Sequence, residues 1–168
     1  GTVDQLERAF DAVKYRRFSV RPALDVRVPT IEDSSLAPKG HHVVSILASF
    51  APHRLDAGEW HDEQRDALGI AVVERLAAAA PSVRDRIVAR SVLTPADFES
   101  EYHLSGGHLQ HGEHALDQLL FMRPAPSCAH YKTPVDGLYL CGSGSHPGGG
   151  ITGVPGALAA AAIQKIKG

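Results

Sequence analysis

The sequence predicts a mixed α/β (α+β) chain, and three observations carry that expectation. Apolar residues recur at helical spacing in two long segments, the first marked by Leu6, Ala9, Phe10 and Val13. A nearly continuous apolar run, Val43, Val44, Ile46 and Leu47, reads as a strand. Near the C-terminus a short apolar segment, Gly137-Leu-Tyr-Leu-Cys141, enters a loop dense in glycine, and that loop opens a helix. Such a junction lets bare backbone N–H groups converge on an anionic or electron-rich ligand atom.

The elements follow in chain order. Thr2-Val-Asp-Gln5 has capping-box spacing and starts a helix that Tyr15 to Arg17 end. Phe18 to Val28 alternates well enough for a strand, with Pro22 marking an edge or an irregularity. Pro29 to Gly40, rich in Asp, Ser and Pro, is loop. His41 to Phe50 is the best upstream strand, too continuously apolar for a half-exposed one, so burial on both faces is expected. Glu59 to Ala80 forms a long helix with Leu68, Ala71, Val72, Leu76 and Ala79 as its apolar stripe, ended by Pro81. Arg86 to Leu93 reads as another strand, and Thr94-Pro95 opens a short helix through Ser100. Ser105 to Gly112 is loop, His114 to Leu120 a helical turn, and Arg123 to Pro134 an irregular connection. Gly137 to Cys141 is the last strand and Pro155 to Lys167 the closing helix, with Lys165 and Lys167 near its negative end.

Composition narrows the classes. At 168 residues the chain is one compact unit by size. A formal charge of −2 with scattered basic residues argues against a nucleic-acid surface. No apolar segment approaches the roughly 18 residues that would make a transmembrane span. No N-terminal stretch reads as a signal peptide, so the expected compartment is cytoplasmic. Cys128 and Cys141 form no CxxC pair, and Cys141 is expected as a small buried thiol in its strand. The chain starts at Gly1 and enters a helix almost at once, as a piece of something longer would.

Several residues could carry chemistry. Gly148, Gly150 and Gly153 satisfy G-x-G-x-x-G, but the dinucleotide fingerprint opens a βαβ unit and needs an acidic residue about 20 positions later. The sequence ends short of that distance, so the residues alone leave a ligand loop and a plain glycine-rich turn both open. His108, His111 and His114 are spaced by three, yet Gly106, Gly107 and Gly112 deny them a rigid helix, and no metal site is expected. His41 and His42 read as strand-start residues, Trp60 as a packing anchor, and Glu99 and Glu101 as solvated helix charges. Asp117 and Arg123 read as a pair or as caps. No Ser-His-Asp order with a G-x-S-x-G elbow is present, and no catalytic residue is assigned.

The segment Gly137-Leu-Tyr-Leu-Cys-Gly142 followed by Gly144-Ser-His-Pro-Gly-Gly-Gly-Ile-Thr-Gly153 resembles the C-terminal flavin-binding segment of the phytoene desaturase-like FAD-dependent oxidoreductases, within the amine oxidase superfamily. Upstream phrases are similar too: Ser35-Leu-Ala-Pro-Lys-Gly-His-His42, Val92-Leu-Thr-Pro-Ala-Asp-Phe98, His111-Gly-Glu113, Leu116-Asp-Gln-Leu119 and Met122-Arg-Pro124.

The resemblance implies the C-terminal portion of a two-domain oxidoreductase. Residues 1–104 would supply part of a substrate domain, and 105–168 the closing segment of the FAD domain. Gly142, Ser143 and Gly144 would pass near the ribityl and phosphate groups of FAD, with Gly150 in the same loop. Thr152, Gly153 and Val154 would turn N–H groups toward the flavin pyrimidine edge, and His146 is the candidate for a polar group near the flavin, with Pro147 beside it pointing to a turn-forming role as well. Two departures stand out. Ser143 and Ser145 occupy the place where many relatives carry an acidic residue, and Thr152 stands where bacterial carotenoid desaturases often carry proline. The expected substrate is apolar or amphipathic, and the expected partner is a missing N-terminal half that holds the ADP end of FAD. The fragment alone is expected to bind FAD weakly or not at all. The alternative reading is a non-catalytic α/β module for assembly or regulation.

Overall fold

A computed structural model describes residues 2–113 and 115–167, with side chains described through Lys165. The chain forms two compact units, Gly1–Ala96 and Asp97–Gly168. It mixes helix and strand, as the sequence predicts, with one small antiparallel sheet.

In the first unit the capping box forms as the spacing requires. Thr2 Oγ1 accepts from the Gln5 amide at 3.3 Å and Gln5 Oε1 accepts from the Thr2 amide at 3.4 Å, opening α1 at Val3–Lys14. Arg16, at φ +56°, ends the helix. β1 is Ala23–Arg27 and β2 is Ser45–Ser49, paired antiparallel with Val26 opposite Ile46 and Leu24 opposite Ala48. These strands are shorter than the expected Phe18–Val28 and His41–Phe50, and β2 is not buried on both faces. Val43, Val44 and Leu47 are exposed, because each strand of this two-stranded ribbon has a single neighbour.

Helix α2 spans Asp62–Ala77, with Gln64 Oε1 accepting from the His61 amide at 3.2 Å. Leu68 and Ala71 are buried as the stripe predicts, whereas Ala79 lies beyond the helix and is exposed. Leu68 joins Leu55 and Trp60 in the core, flanked by Phe18, Val72 and Val92. Trp60 is the anchor expected of it: its ring stacks on Phe18 at 5.6 Å, and its Nε1 donates to the Pro52 carbonyl at 3.0 Å.

Residues Arg86 to Leu93 do not make the expected strand. A 3₁₀ segment occupies Pro81–Arg86, and the chain then runs alongside α2 with no strand partner. The approach is close at Gly69, where a Cβ would lie 3.1 Å from Val92 Cγ2. Helix α3, Pro95–Tyr102, begins at the expected proline, and the division between the units falls inside it.

The second unit has little regular structure before its last helix. Short 3₁₀ turns at Leu116–Gln118 and Leu120–Met122 stand where a single helical turn is expected from His114 to Leu120, and a further one at Pro126–Cys128 lies in the irregular connection. His114 itself, and with it one member of the histidine trio, lies outside the described residues. The expected strand Gly137–Cys141 shrinks to one antiparallel bridge between Lys132 and Tyr139, framed by Leu140 N–H donating to Tyr131 O at 2.7 Å. Cys141, expected buried, is exposed because no sheet covers it. Helix α4 runs Val154–Lys167, one residue longer than expected at its start, and the Lys167 side chain lies outside the described residues. Among the described residues no helix is long and apolar enough to cross a membrane.

Candidate functional site

The glycine loop between the Tyr139 bridge and α4 is built around one buried cation. Arg123 is 1% exposed and, among the described residues, forms no ion pair with a carboxylate. Its guanidinium donates to the Ser143 carbonyl from Nε at 3.2 Å and from Nη2 at 2.7 Å. It also donates to the carbonyls of Gln110 and His111 at 3.2 Å and of Glu113 at 3.3 Å. One rigid fork thus ties residues 110–113 to the start of the loop. A planar group with five N–H donors can satisfy carbonyls in several directions at once, which an ammonium cannot. The expected pairing with Asp117 does not form; Asp117 is exposed.

Closure of residues 142–148 follows from local bonds. Gly142 takes φ +85°, the Ser145 amide donates to Gly142 O at 3.0 Å, and the Gly148 amide donates to Ser145 O at 2.8 Å. Tyr131 Oη donates to His146 O at 3.0 Å, and burial pushes the Tyr131 phenol above its ordinary pKa. Gly149 packs so tightly on the 110–113 segment that a Cβ there would lie 2.6 Å from Gln110 Cβ. Ser145 is 2% exposed, and its Oγ has no hydrogen-bond partner among the described residues. A buried hydroxyl without a partner is unusual enough to require an explanation.

Residues 149–153 differ. Among the described residues, the amides of Gly149, Gly150, Ile151, Thr152 and Gly153 donate to no protein acceptor. Gly150 holds φ +122°, and Ile151 holds φ +50° while fully exposed, a costly conformation for a β-branched residue. These amides precede the positive end of α4. Thr152 Oγ1 accepts from the Val154 amide at 3.3 Å, so that one N–H already has an acceptor within the chain.

The sequence-predicted residues therefore occupy one continuous loop. Gly142, Ser143, Gly144 and His146 lie in its closed part, and Gly150, Thr152, Gly153 and Val154 in its open part. The His146 ring makes no hydrogen bond to another described residue; only its carbonyl is held. Residues 110, 123 and 131 escaped sequence reasoning as parts of this site. Arg123 signalled itself as a charge directly after the apolar run Leu119 to Met122 and within the phrase Met122-Arg-Pro124, neither of which pointed to its carbonyl partners. Glu99, read as a solvated charge, instead accepts from the Gly106 amide at 2.8 Å. Among the described residues no three His, Cys, Asp or Glu side chains gather as a metal site; His108 Nδ1 instead accepts from the Gln110 amide at 3.2 Å.

No family model matches the chain. It is similar to the mouse and rat proteins named pyridine nucleotide-disulfide oxidoreductase domain-containing protein 2, at 41% identity over 156 residues in each case. That is 92% of this chain and 27% of each relative. It is also 32% identical over 139 residues to a Staphylococcus aureus 4,4'-diapophytoene desaturase (4,4'-diaponeurosporene-forming), covering 80% of this chain and 27% of that protein. The chain thus spans about a quarter of the length of the curated relatives it matches, and the resemblance read in its sequence is one of homology.

Proposed function

From the premise that this chain is homologous to one stretch of the diapophytoene desaturases and of the pyridine nucleotide-disulfide oxidoreductase domain-containing proteins, we propose that it is the C-terminal portion of an FAD-dependent oxidoreductase. The parent removes hydride from an apolar or amphipathic substrate. Residues 1–104 belong to its substrate domain and 105–168 close its FAD domain. The division of the chain near Ala96 is in keeping with that split.

The observation that carries the reading is the open row of amides from Gly149 to Gly153. Such a row suits an electron-rich ligand better than it suits a self-contained turn, because converging backbone N–H groups form an anion-binding concavity. FAD, when bound, supplies the centre that accepts hydride. This chain's contribution is binding and electrostatics. The Thr152 and Gly153 amides, at the positive end of α4, donate to the pyrimidine edge of the ring, where negative charge collects on reduction. Gly142, Ser143 and Gly144 line the ribityl and phosphate path, where this chain offers backbone groups rather than an acidic side chain. The Val154 amide can join only by giving up Thr152 Oγ1. The unengaged His146 ring is the side chain available for polar contact, and Arg123 holds the loop in register.

Gly153→Val in the full-length parent tests this. A side chain at φ +71° strains the loop where the amides are offered, so flavin per protein should fall about tenfold, read from the visible flavin band. Unchanged flavin loading would leave the loop an ordinary glycine-rich turn. The purified 168-residue chain should carry no stoichiometric flavin, since the residues that would hold the ADP half are expected elsewhere in the parent.

A further inference from the structure

We propose that Arg123 tunes the parent's flavin electrostatically: its enclosed positive charge favours the reduced ring over the oxidised one. This deepens the flavin reading above and rests on it. The guanidinium is covered within its own unit, at 1% exposure, so its surroundings do not depend on faces that the rest of the parent covers. Its N–H groups go to the carbonyls of Gln110, His111, Glu113 and Ser143. Those acceptors satisfy the donors, yet a carbonyl dipole does not cancel a charge. Among the described residues no carboxylate pairs with it. Glu113 lends its carbonyl, but its side chain is exposed, as are Asp117 and Asp136, and water and salt screen charges there.

The charge lies directly behind the open amides. Arg123 Nη2 donates to Gln110 O at 3.2 Å, and a Cβ on Gly149 would meet Gln110 Cα at 3.3 Å. Gln110 thus touches the guanidinium on one side and Gly149, the first residue of the open row, on the other. An enclosed charge without a counter-ion is costly by itself, and negative charge arriving nearby lowers that cost. The flavin ring gathers negative charge on reduction, so the cation acts more strongly on the reduced form. In the poorly solvated interior this attraction reaches further than that of a surface arginine. The four carbonyls prevent the guanidinium from swinging away, which keeps its field fixed relative to the loop.

The test reads the midpoint potential of bound flavin in the full-length parent, by equilibration with a reference dye. It is run at pH 6, where carbonyl acceptors help a buried lysine keep its proton. Arg123→Lys and Arg123→Gln both lose the five-bond fork and differ by one charge. Arg123→Gln should shift the balance toward oxidised flavin about tenfold, a fall of about 30 mV for a two-electron couple. Arg123→Lys should stay within about twofold of the unsubstituted parent. A purely structural arginine would weaken flavin retention in both variants and leave both potentials unmoved. That result, or equal falls in the two, would overturn the proposal. Should circular dichroism show that Arg123→Gln does not fold, the unsubstituted parent decides. Its bound flavin should be easier to reduce than free FAD, and a potential at or below that of free FAD overturns the proposal. A purified parent without flavin would instead defeat the flavin reading and this one with it, so the two failures are told apart.

Discussion

Residues 142–148 and residues 149–153 are both rich in glycine, yet they spend their backbone polar groups in opposite ways. The first stretch turns inward: Ser145 and Gly148 donate to carbonyls of the same loop, Tyr131 anchors His146, and Arg123 grips Ser143. The second stretch, from Gly149 to Gly153, donates to nothing within the described protein. Glycine content alone does not separate a structural turn from a ligand cradle. What separates them is whether a buried donor fixes the carbonyls and where the amides then have to point. Arg123 supplies that fixing on one side, and the start of α4 sets the direction on the other.

The largest expected effect breaks the closed half. Arg123→Met removes five hydrogen bonds and strands the carbonyls of Gln110, His111, Glu113 and Ser143. Unfolding of the second unit should become easier by about 3 kcal/mol. Amide hydrogen exchange in residues 142–148 should then quicken by about a hundredfold, while residues 149–153, already open, change little. Equal acceleration in both stretches would mean that the two halves are not distinct.

A smaller effect tests the joint between them. Gly149→Ala places a Cβ within 2.6 Å of Gln110 Cβ and 3.3 Å of Gln110 Cα, so backbone or side chain must shift, at about 1–3 kcal/mol in urea unfolding. Gly144→Ala is the matched control. Nothing lies within 4 Å of the added Cβ, so the isolated chain should hold its stability. A loss comparable to that of Gly149→Ala would show that close packing at Gln110 is not what fixes the joint.

The smallest effect concerns Ser145. Its Oγ has no partner among the described residues, so Ser145→Ala should change the stability of the chain by less than about 0.5 kcal/mol. In the flavin-loaded parent the same change should leave cofactor retention unchanged, because the hydroxyl is sealed inside the closed half. A loss of stability above about 1 kcal/mol in the chain alone would show that the hydroxyl is held within the closed half after all.

Local chemistry made some of the molecule legible in the sequence. The capping box at Thr2 and Gln5, the stripe through Leu68 and Ala71, the proline start of α3 and the glycine-to-helix junction all depend on neighbours in the chain. Expectations that needed a distant partner fared worse. The apolar run at Val43 and Val44 predicts double-sided burial, but burial requires further strands, and the described residues provide only β1. The segments Arg86–Leu93 and Gly137–Cys141 have strand-like composition and no ladder to join beyond one bridge at Tyr139.

The sequence by itself determined where the backbone would turn, cap and leave glycine beside a helix start, because those preferences are set within a few residues. Tertiary structure alone decided that Arg123 would bind carbonyls rather than Asp117, that Ser145 would be buried without a partner, and that Tyr131 would reach His146. Those outcomes join residues 10 to 20 positions apart or depend on what surrounds a side chain. Hydrogen bonding and burial at that range follow from packing, and no local propensity encodes them.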